Sequence, residues 1–248
     1  MEQENAYILD KKMDCPICHM EFISKQVKTG KARFVGTDED LRPRYSGVDT
    51  IKYDVLFCTH CGYAAVSREF NNVTSKQRQN ILDGIANKFC GVDHQEGIYT
   101  YEDAIYRYKM AILTAMVKPS KLSSGAYLAL KLAWLYRAAL EEQEQLETPD
   151  NKLVRAYKMG AQHYQSEAYR GFKSAVAKEY PPICGMDEVT INYLMSVLAY
   201  REGDFDDAQR YAYFVLGSRQ ASAKLKERQR QIVEKLKKAK GIGEAEQL

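Results

Sequence analysis

The chain of 248 residues is 45% apolar and 28% charged, which is typical of folded globular proteins and excludes wholesale disorder. Six cysteines are too few for a disulfide scaffold, and a formal net charge of +3 does not mark the whole chain as a nucleic-acid binder. The charge is uneven, because residues 219–248 carry +5 whereas residues 1–71 and 72–218 each carry −1.

The N-terminal residues are polar and lack the apolar run of a signal peptide. The longest apolar stretch, residues 126–140, contains Lys131 and Arg137 and is too short and too charged to span a bilayer. We therefore expect a cytoplasmic protein without membrane insertion. In a reducing compartment, cysteines serve as metal ligands or as small packing residues more often than as disulfides.

Residues 1–71 are predicted to form a small domain rich in strands and turns. Apolar and polar residues alternate over 51–57, which predicts a half-buried strand. Residues 22–29 are predicted to pair with that strand or with residues 33–35. The stretch 37–45 contains a proline and an acidic cluster and is predicted to be a loop.

Two C-x-x-C motifs stand 39 residues apart and supply four candidate metal ligands, Cys15, Cys18, Cys58 and Cys61. Each motif suits a tight knuckle, and Gly62 after the second one permits the left-handed backbone that such knuckles use. Four thiolates form a closed tetrahedral set of soft ligands, which favours one structural Zn²⁺ ion and leaves no position for water or substrate. The spacing therefore predicts a zinc ribbon, with iron as the alternative metal.

The remaining cysteines and histidines carry weaker signals. We expect Cys90 and Cys184 to be packing residues, because a lone pairing of Cys90 with His94 has little specificity as a second metal site. His19 and His60, which adjoin the knuckle cysteines, are expected to be exposed imidazoles. His163 is expected to occupy a core or groove position in a helix.

The stretch after residue 37 also contains candidate partner-binding residues of both charge signs together with an aromatic ring: Asp38, Asp40, Arg42, Arg44 and Tyr45. Their arginines suit a partner or an acidic ligand group. The alternative is a solvated loop with internal salt bridges.

From about residue 72 the apolar pattern has a helical period. Thr74 with Gln77 and Thr100 with Asp103 have capping-box spacing, and the first of these helices is predicted to end at Gly91. The helices that follow are predicted at 124–146, from Thr148-Pro149 to before Pro181, at 188–202, at 204–218 and at 222–240.

Two of these helices begin with similar sequences. Gly203–Ala208 and Tyr101–Ala104 share an aromatic residue, acids and an alanine, and they lie 104 residues apart, close to three periods of about 34 residues. This spacing predicts about three tetratricopeptide-like hairpins over 72–221, with a generic helical bundle as the alternative. The predicted fold is thus mostly α, a small β-rich zinc ribbon followed by a tetratricopeptide-like helical solenoid.

Residues 222–248 are predicted to form a basic C-terminal helix and tail. Leu225, Ile232, Leu236 and Ala239 fall on one face, so the segment suits a helix that caps a solenoid. The alternative is contact with nucleic acid or an anionic membrane through the lysines and arginines. We find no catalytic signature such as G-x-S-x-G, H-E-x-x-H or a P-loop.

Several of these motifs together resemble a known family. Residues 13–18 with Phe22, residues 38–45, residues 53–55, residues 58–65, residues 132–137 and the turn 203–208 are similar to the bacterial proteins classed as domain of unknown function 2225. The second knuckle departs from them with Thr59, where a proline is frequent. The resemblance implies a zinc ribbon joined to tetratricopeptide-like helices and brings no established activity.

The sequence therefore favours a non-catalytic zinc-binding adaptor or scaffold whose helical groove binds a protein or peptide partner. One alternative is a nucleic-acid-associated protein that uses the ribbon and the basic C-terminal helix. A second is an enzyme with a site near residues 38–45.

Overall fold

The computed structural model describes residues 2–93 and 97–245, and over these residues the protein is mostly helical. Its N-terminal part contributes short antiparallel strand pairs, so the predicted order of a β-rich segment followed by helices is confirmed. Among the described helices, none combines the length and the apolar character that a membrane crossing requires.

The strands form separate two-stranded sheets. Their bounds are β1 Ile8–Asp14, β2 Glu21–Val27, β3 Arg33–Thr37, β4 Pro43–Ser46, β5 Val55–Phe57 and β6 Ala64–Val66. β1 pairs with β2, β3 with β4 and β5 with β6, each antiparallel to its neighbour in sequence. The first and third hairpins each carry one C-x-x-C motif in their turn, which brings the two motifs to comparable positions.

The strand partners predicted from the sequence were wrong. β2 lies where a strand was expected, but it pairs with β1, whose largely charged and exposed residues carry no alternating pattern. The predicted loop 37–45 contains the start of β4, which pairs with β3. Thr50–Tyr53 is a 3₁₀ turn, because the Asp49 side chain accepts a hydrogen bond from the Ile51 amide. Only Val55–Phe57 remains of the strand predicted over 51–57.

The helices follow in sequence after a short N-terminal turn of helix. Their bounds are α1 Glu2–Asn5, α2 Ser75–Gly84, α3 Tyr101–Val117, α4 Leu122–Glu144, α5 Asn151–Val176, α6 Glu188–Arg201, α7 Phe205–Gly217 and α8 Ala223–Ala245. The two predicted capping boxes are confirmed. The Thr74 side chain accepts from the Gln77 amide, and the Thr100 side chain accepts from the Asp103 amide.

Two helix boundaries differ from the sequence-based expectation. α2 ends at Gly84 rather than at Gly91, and a Cβ atom at Gly84 would stand 2.8 Å from Val117 Cγ1, so α2 and α3 approach closely there. α5 begins after Asp150 rather than at Thr148-Pro149, because the Asp150 side chain accepts hydrogen bonds from the amides of Lys152 and Leu153.

The largest apolar cluster joins the third hairpin to the helices. Val55, Phe57, Ala64 and Val66 lie in the same cluster as residues of α3 to α8. The division into units at residue 72 stays a prediction, and the apolar core extends to both sides of it. A second cluster surrounds the cysteine motifs, and a third contains Tyr99.

The two helices with similar first turns have the same local structure. Asp204 begins α7 by accepting from the Asp207 amide, as Thr100 does for Asp103 at the start of α3. The alanines that follow, Ala104 and Ala208, are fully buried. Because both helices show the same cap and the same buried alanine, their sequence similarity extends to the local structure.

Candidate metal centre

The four predicted ligand cysteines lie together at the turns of two β-hairpins. Cys15 and Cys18 follow β1, and Cys58 and Cys61 follow β5. In each turn the amide of the residue after the second cysteine donates to the carbonyl of the first cysteine, His19 to Cys15 at 2.9 Å and Gly62 to Cys58 at 3.0 Å. The two knuckles therefore repeat one backbone arrangement, although 39 residues separate them in sequence.

The residue after each knuckle has a left-handed backbone. Gly62 has φ +74°, as predicted, and His19 has φ +62° at the equivalent place. A left-handed conformation costs a residue with a Cβ atom about 1–2 kcal/mol, so the first knuckle is the more strained of the two. At Gly62 a Cβ atom would also stand 2.7 Å from the ring of Phe89, which makes that position doubly restricted.

The distances between the sulfurs suit a tetrahedral metal ion. The Sγ atoms of Cys15 and Cys61 are 3.6 Å apart, and those of Cys18 and Cys58 are 3.7 Å apart. All four ligand atoms lie within 4.8 Å of one another. A tetrahedron with metal–sulfur bonds of about 2.3 Å has edges of about 3.8 Å, whereas a disulfide bond is about 2.05 Å long. The geometry thus fits four thiolates around one ion and does not fit disulfides.

Burial and hydrogen bonding perturb the thiols. Cys15, Cys58 and Cys61 are buried and Cys18 is partly buried. Hydrogen bonds from Cys15 and Cys61 lower the pKa of Cys58. Hydrogen bonds with Cys15 and Cys58, together with burial, raise the pKa of Cys61. Four adjacent thiolates repel one another, so a divalent cation is the group that allows all of them to ionise together.

Backbone and side-chain contacts hold the first knuckle in place. The Ile17 amide lies 3.4 Å from Cys15 Sγ. From α2, the Arg78 guanidinium donates to the Ile17 carbonyl through Nε at 3.1 Å and through Nη2 at 2.7 Å. Arg78 Nη2 is also 3.1 Å from Nε2 of His19. Arg78 was not predicted as a contact of the knuckle, since its local signal in the sequence is no more than its place in the first turn of a capped helix.

The other histidines and cysteines are distributed as follows. His19 and His60 are exposed, as predicted. His163 is exposed beside Tyr164, so the expectation of a core position was wrong. Cys90 is exposed, which contradicts its expected packing role, whereas Cys184 is partly buried and donates to the Ser123 carbonyl. His94 lies outside the described residues.

Asp40 is a buried acidic residue of the 38–45 segment. Its side chain is 2% exposed, yet it accepts hydrogen bonds from the Trp134 indole at 2.9 Å, from Arg137 at 2.9 Å and from Arg201 at 2.8 Å. Burial opposes ionisation, but the charges of Arg137 and Arg201 outweigh it and lower the pKa of Asp40. Asp40 therefore joins the N-terminal segment to both α4 and α6.

The two arginines of this segment are also paired within the protein. Arg42, with 3% of its side chain exposed, contacts Glu141 and Asp49 at 3.2 and 3.3 Å. Arg44 bonds Glu141 through two nitrogens, at 2.7 and 2.8 Å, and bonds Asp38 at 2.8 Å. For the 38–45 stretch, the alternative to partner binding was a loop with internal salt bridges, and these pairs are such salt bridges. A small cavity of about 270 Å³ adjoins both arginines.

Tyr45, the aromatic residue of the segment, lies on β4 of the second hairpin and is half-buried. Its ring packs edge-on against Phe34, with the centroids 5.7 Å apart. Phe34 and Val35 are exposed. Tyr45 therefore contributes to an aromatic pair on β3 and β4 and also lines the cavity next to Arg42 and Arg44.

The basic helix α8 packs on the body of the protein. Ile232 and Leu236 are buried, as the predicted apolar face requires. Arg228 donates to the Asp38 carbonyl, Lys235 bonds Glu39, and Lys240 bonds Asp206 at 3.0 Å. The helix thus reaches the same segment that carries Asp40.

A groove opens between α3, α4 and α5. Its volume is about 560 Å³, and its lining is mostly apolar: Ile112, Ala115, Met116, Lys118, Pro119, Ser120, Lys121, Leu122, Gly125, Ala126, Ala129, Tyr164, Glu167 and Gly171. Met116 is 78% exposed at its edge. Small residues form part of this surface, and a Cβ atom at Gly125 would meet nothing within 4 Å.

Comparison with known proteins places the chain among uncharacterised bacterial sequences. Residues 8–237 match the family described as uncharacterized protein conserved in bacteria, DUF2225. An uncharacterized protein of Borreliella burgdorferi is 24% identical over 82 residues, which cover 30% of this chain and 29% of that protein. No solved structure matches the chain.

The knuckle geometry predicts that substitution destabilises the protein at Gly62 but has little effect at His19, the two positions with a left-handed backbone. We expect Gly62→Ala to lower the free energy of unfolding by about 1–3 kcal/mol, because it adds left-handed strain and a contact with Phe89. His19→Gly removes strain and loses one contact with Arg78, so its effect stays within about 1 kcal/mol. Chemical unfolding of the metal-loaded proteins measures both. Equal destabilisation by the two variants would contradict this explanation.

The Asp40 contacts predict a large cost for removing its charge. Asp40→Asn leaves Arg137 and Arg201 without their buried partner, and we expect a loss of about 3 kcal/mol in urea unfolding. Asp206→Asn is the control, because Asp206 is 97% exposed and its one ion pair among the described residues is with Lys240 at the surface. If both variants unfold at the same urea concentration, Asp40 does not hold the segment to the helices.

Proposed function

The chain belongs to the bacterial family of domain of unknown function 2225, whose description assigns no activity, and we propose that it is a non-catalytic zinc-binding adaptor. In this proposal the metal stabilises the N-terminal hairpins, and the helical groove holds a protein or peptide partner. The observation that carries the proposal is the combination of a closed four-cysteine set with an apolar groove on the adjoining helices.

Zinc is the proposed metal because of the chemistry of the donors. Four thiolates at the edge length of a zinc tetrahedron fill every ligand position, which is typical of structural rather than catalytic sites. Cys15, Cys18, Cys58 and Cys61 would hold the ion, and its role would be to link the two knuckles. We expect binding to couple strongly to the folding of the N-terminal segment.

Metal analysis tests this part of the proposal. We expect one zinc ion per purified chain, and none in the Cys58→Ser variant, because a three-thiolate site binds zinc more weakly. Chelation of the wild-type protein should make residues up to about 71 sensitive to protease. Cys90→Ser is the matched control and should retain its zinc. Stoichiometric iron in place of zinc, or a protein without metal, would contradict the assignment.

We further propose that the helices form a tetratricopeptide-like solenoid. The matching caps and buried alanines at the starts of α3 and α7 support a repeat whose two copies are three periods apart. In addition, α4 packs extensively on α5, and α6 packs on α7. Solenoids of this kind present extended surfaces for peptide segments.

The groove suggests the chemistry of the partner. Apolar side chains of α3 and α4 line its walls, and Lys118 and Lys121 stand at the turn between these helices, with Glu167 on the α5 side. A segment that fits is amphipathic, with apolar side chains directed into the groove and acidic residues near the two lysines. Binding by such a segment requires no catalytic group from this chain.

A groove-filling variant tests the adaptor role. Gly125→Leu places a side chain in open space within the groove, whereas Gly217→Leu does so at the end of α7, away from the groove. We expect a bacterial protein that is enriched on the wild-type chain and on Gly217→Leu to be lost, at least tenfold, on Gly125→Leu. Quantitative mass spectrometry after affinity purification measures this. Equal recovery by both variants would contradict the groove as the binding surface.

The structure also bears on the alternatives raised by the sequence. Arg228, Lys235 and Lys240 of α8 are engaged by the protein itself, which supports a capping role for this helix over a nucleic-acid role. The mutual pairing of Arg42 and Arg44 with carboxylates supports a structural rather than an enzymatic role for the 38–45 segment. We therefore favour the adaptor over both alternatives.

A further inference from the structure

Helix α2 lies between the first cysteine knuckle and the groove and contacts both. On one side Arg78 donates two hydrogen bonds to the Ile17 carbonyl, inside the Cys15–Cys18 knuckle. Ile81, also on α2, is fully buried in the same apolar cluster as Cys15, Cys58 and Cys61. The position of α2 therefore depends on the packing of the cysteine-bearing hairpins.

On its other side α2 holds the turn between α3 and α4. Gln77 Nε2 donates to the Pro119 carbonyl at 2.8 Å, while Gln77 Oε1 accepts from the Thr74 amide in the capping box. Close by, Lys118 Nζ donates to the Asn72 carbonyl at 3.2 Å. Gln77 thus fixes the start of α2 and the α3–α4 turn with the two ends of one amide group.

The same turn forms one wall of the groove. Lys118, Pro119, Ser120 and Lys121 all line it. At the end of α3, Val117 packs against the cysteine cluster and also lies against Gly84 of α2. A contiguous set of contacts therefore runs from the Ile17 carbonyl through Arg78 and Gln77 to the groove wall.

We infer that metal loading of the four-cysteine centre orders the α3–α4 turn through α2, so that metal occupancy regulates the groove. This inference rests on the proposed function and adds to it the regulation of the groove. Without the ion, no metal–sulfur bonds join the two knuckles, so the first knuckle, and with it the Ile17 carbonyl, shifts away from its place beside α2. Arg78 then loses its hydrogen-bond acceptor, so α2 is no longer held against the first knuckle. As α2 shifts, Gln77 no longer donates to the Pro119 carbonyl.

Two variants of α2 separate this route from general destabilisation. Gln77→Glu keeps a side-chain oxygen for the capping box and removes the donor to the Pro119 carbonyl. Gln79→Ala is its control on the same helix, since within the described part of the chain the Gln79 side chain bonds Asp83, one turn further along, and no other residue. Neither residue contacts a cysteine in the described contacts, so we expect both variants to retain the metal.

Hydrogen exchange of the α3–α4 turn is the measurement, with zinc as the probe and its stoichiometry determined in each sample. The amides of Lys118 and Ser124, which bond the Thr114 and Lys121 carbonyls, report on the turn. In the wild type and in Gln79→Ala we expect chelation to speed their exchange at least tenfold. In Gln77→Glu we expect fast exchange even with one zinc bound.

Each outcome bears on the inference. Turn amides that exchange at the same rate with and without zinc would overturn it, and so would a zinc-loaded Gln77→Glu protein whose turn is as protected as that of the wild type. Both results leave the adaptor proposal intact, because the groove is tested separately by Gly125→Leu. A chain that binds no zinc would overturn the inference together with the metal part of the proposed function.

Discussion

The structure depends on one buried carboxylate. Asp40 lies on a segment between two strands, and its oxygens accept from a tryptophan and an arginine of α4 and from an arginine of α6. A charge with 2% exposure is tolerated only because it is fully paired, so its partners must be in position whenever the protein is folded. Together with the pairs of Arg42 and Arg44 with Glu141, its hydrogen bonds give direction to a junction whose apolar contacts are non-directional. The carboxylate supplies direction and fixes how the two parts meet.

Features that depend on residues close together in the sequence were predicted correctly, whereas contacts between distant residues were missed. The cysteine motifs, the caps at Thr74 and Thr100 and the left-handed Gly62 depend on residues within a few positions of one another, and the structure confirms them. Strand partners were predicted wrongly, because β1 shows no alternation and its pairing depends on which of several short segments lies nearby.

Asp40 was recognised as a candidate but not for its role, since its partners lie 94 to 161 positions away. The single tryptophan, with an arginine three residues later on one helix face, is the only signal that points to them. Arg78 was missed, and Gln77 was predicted for its capping box but not for its contact with Pro119, because a helix-surface arginine or glutamine gives no hint of the carbonyl that it will reach.

The separation of the two knuckles has an entropic consequence for the segment between them. Residues 19–57 form a loop of 39 residues whose ends meet at the four sulfurs, and Asp40 lies near its middle. An ion held by both knuckles acts as a cross-link that closes this loop, and closing a loop of that length removes about 4 kcal/mol of chain entropy from the unfolded state. The cross-link therefore keeps Asp40 within a closed loop, which reduces the number of conformations open to its segment before Asp40 meets its partners. The proposed metal thus favours the contact of Asp40 with α4 and α6, although the metal itself touches neither side of that contact.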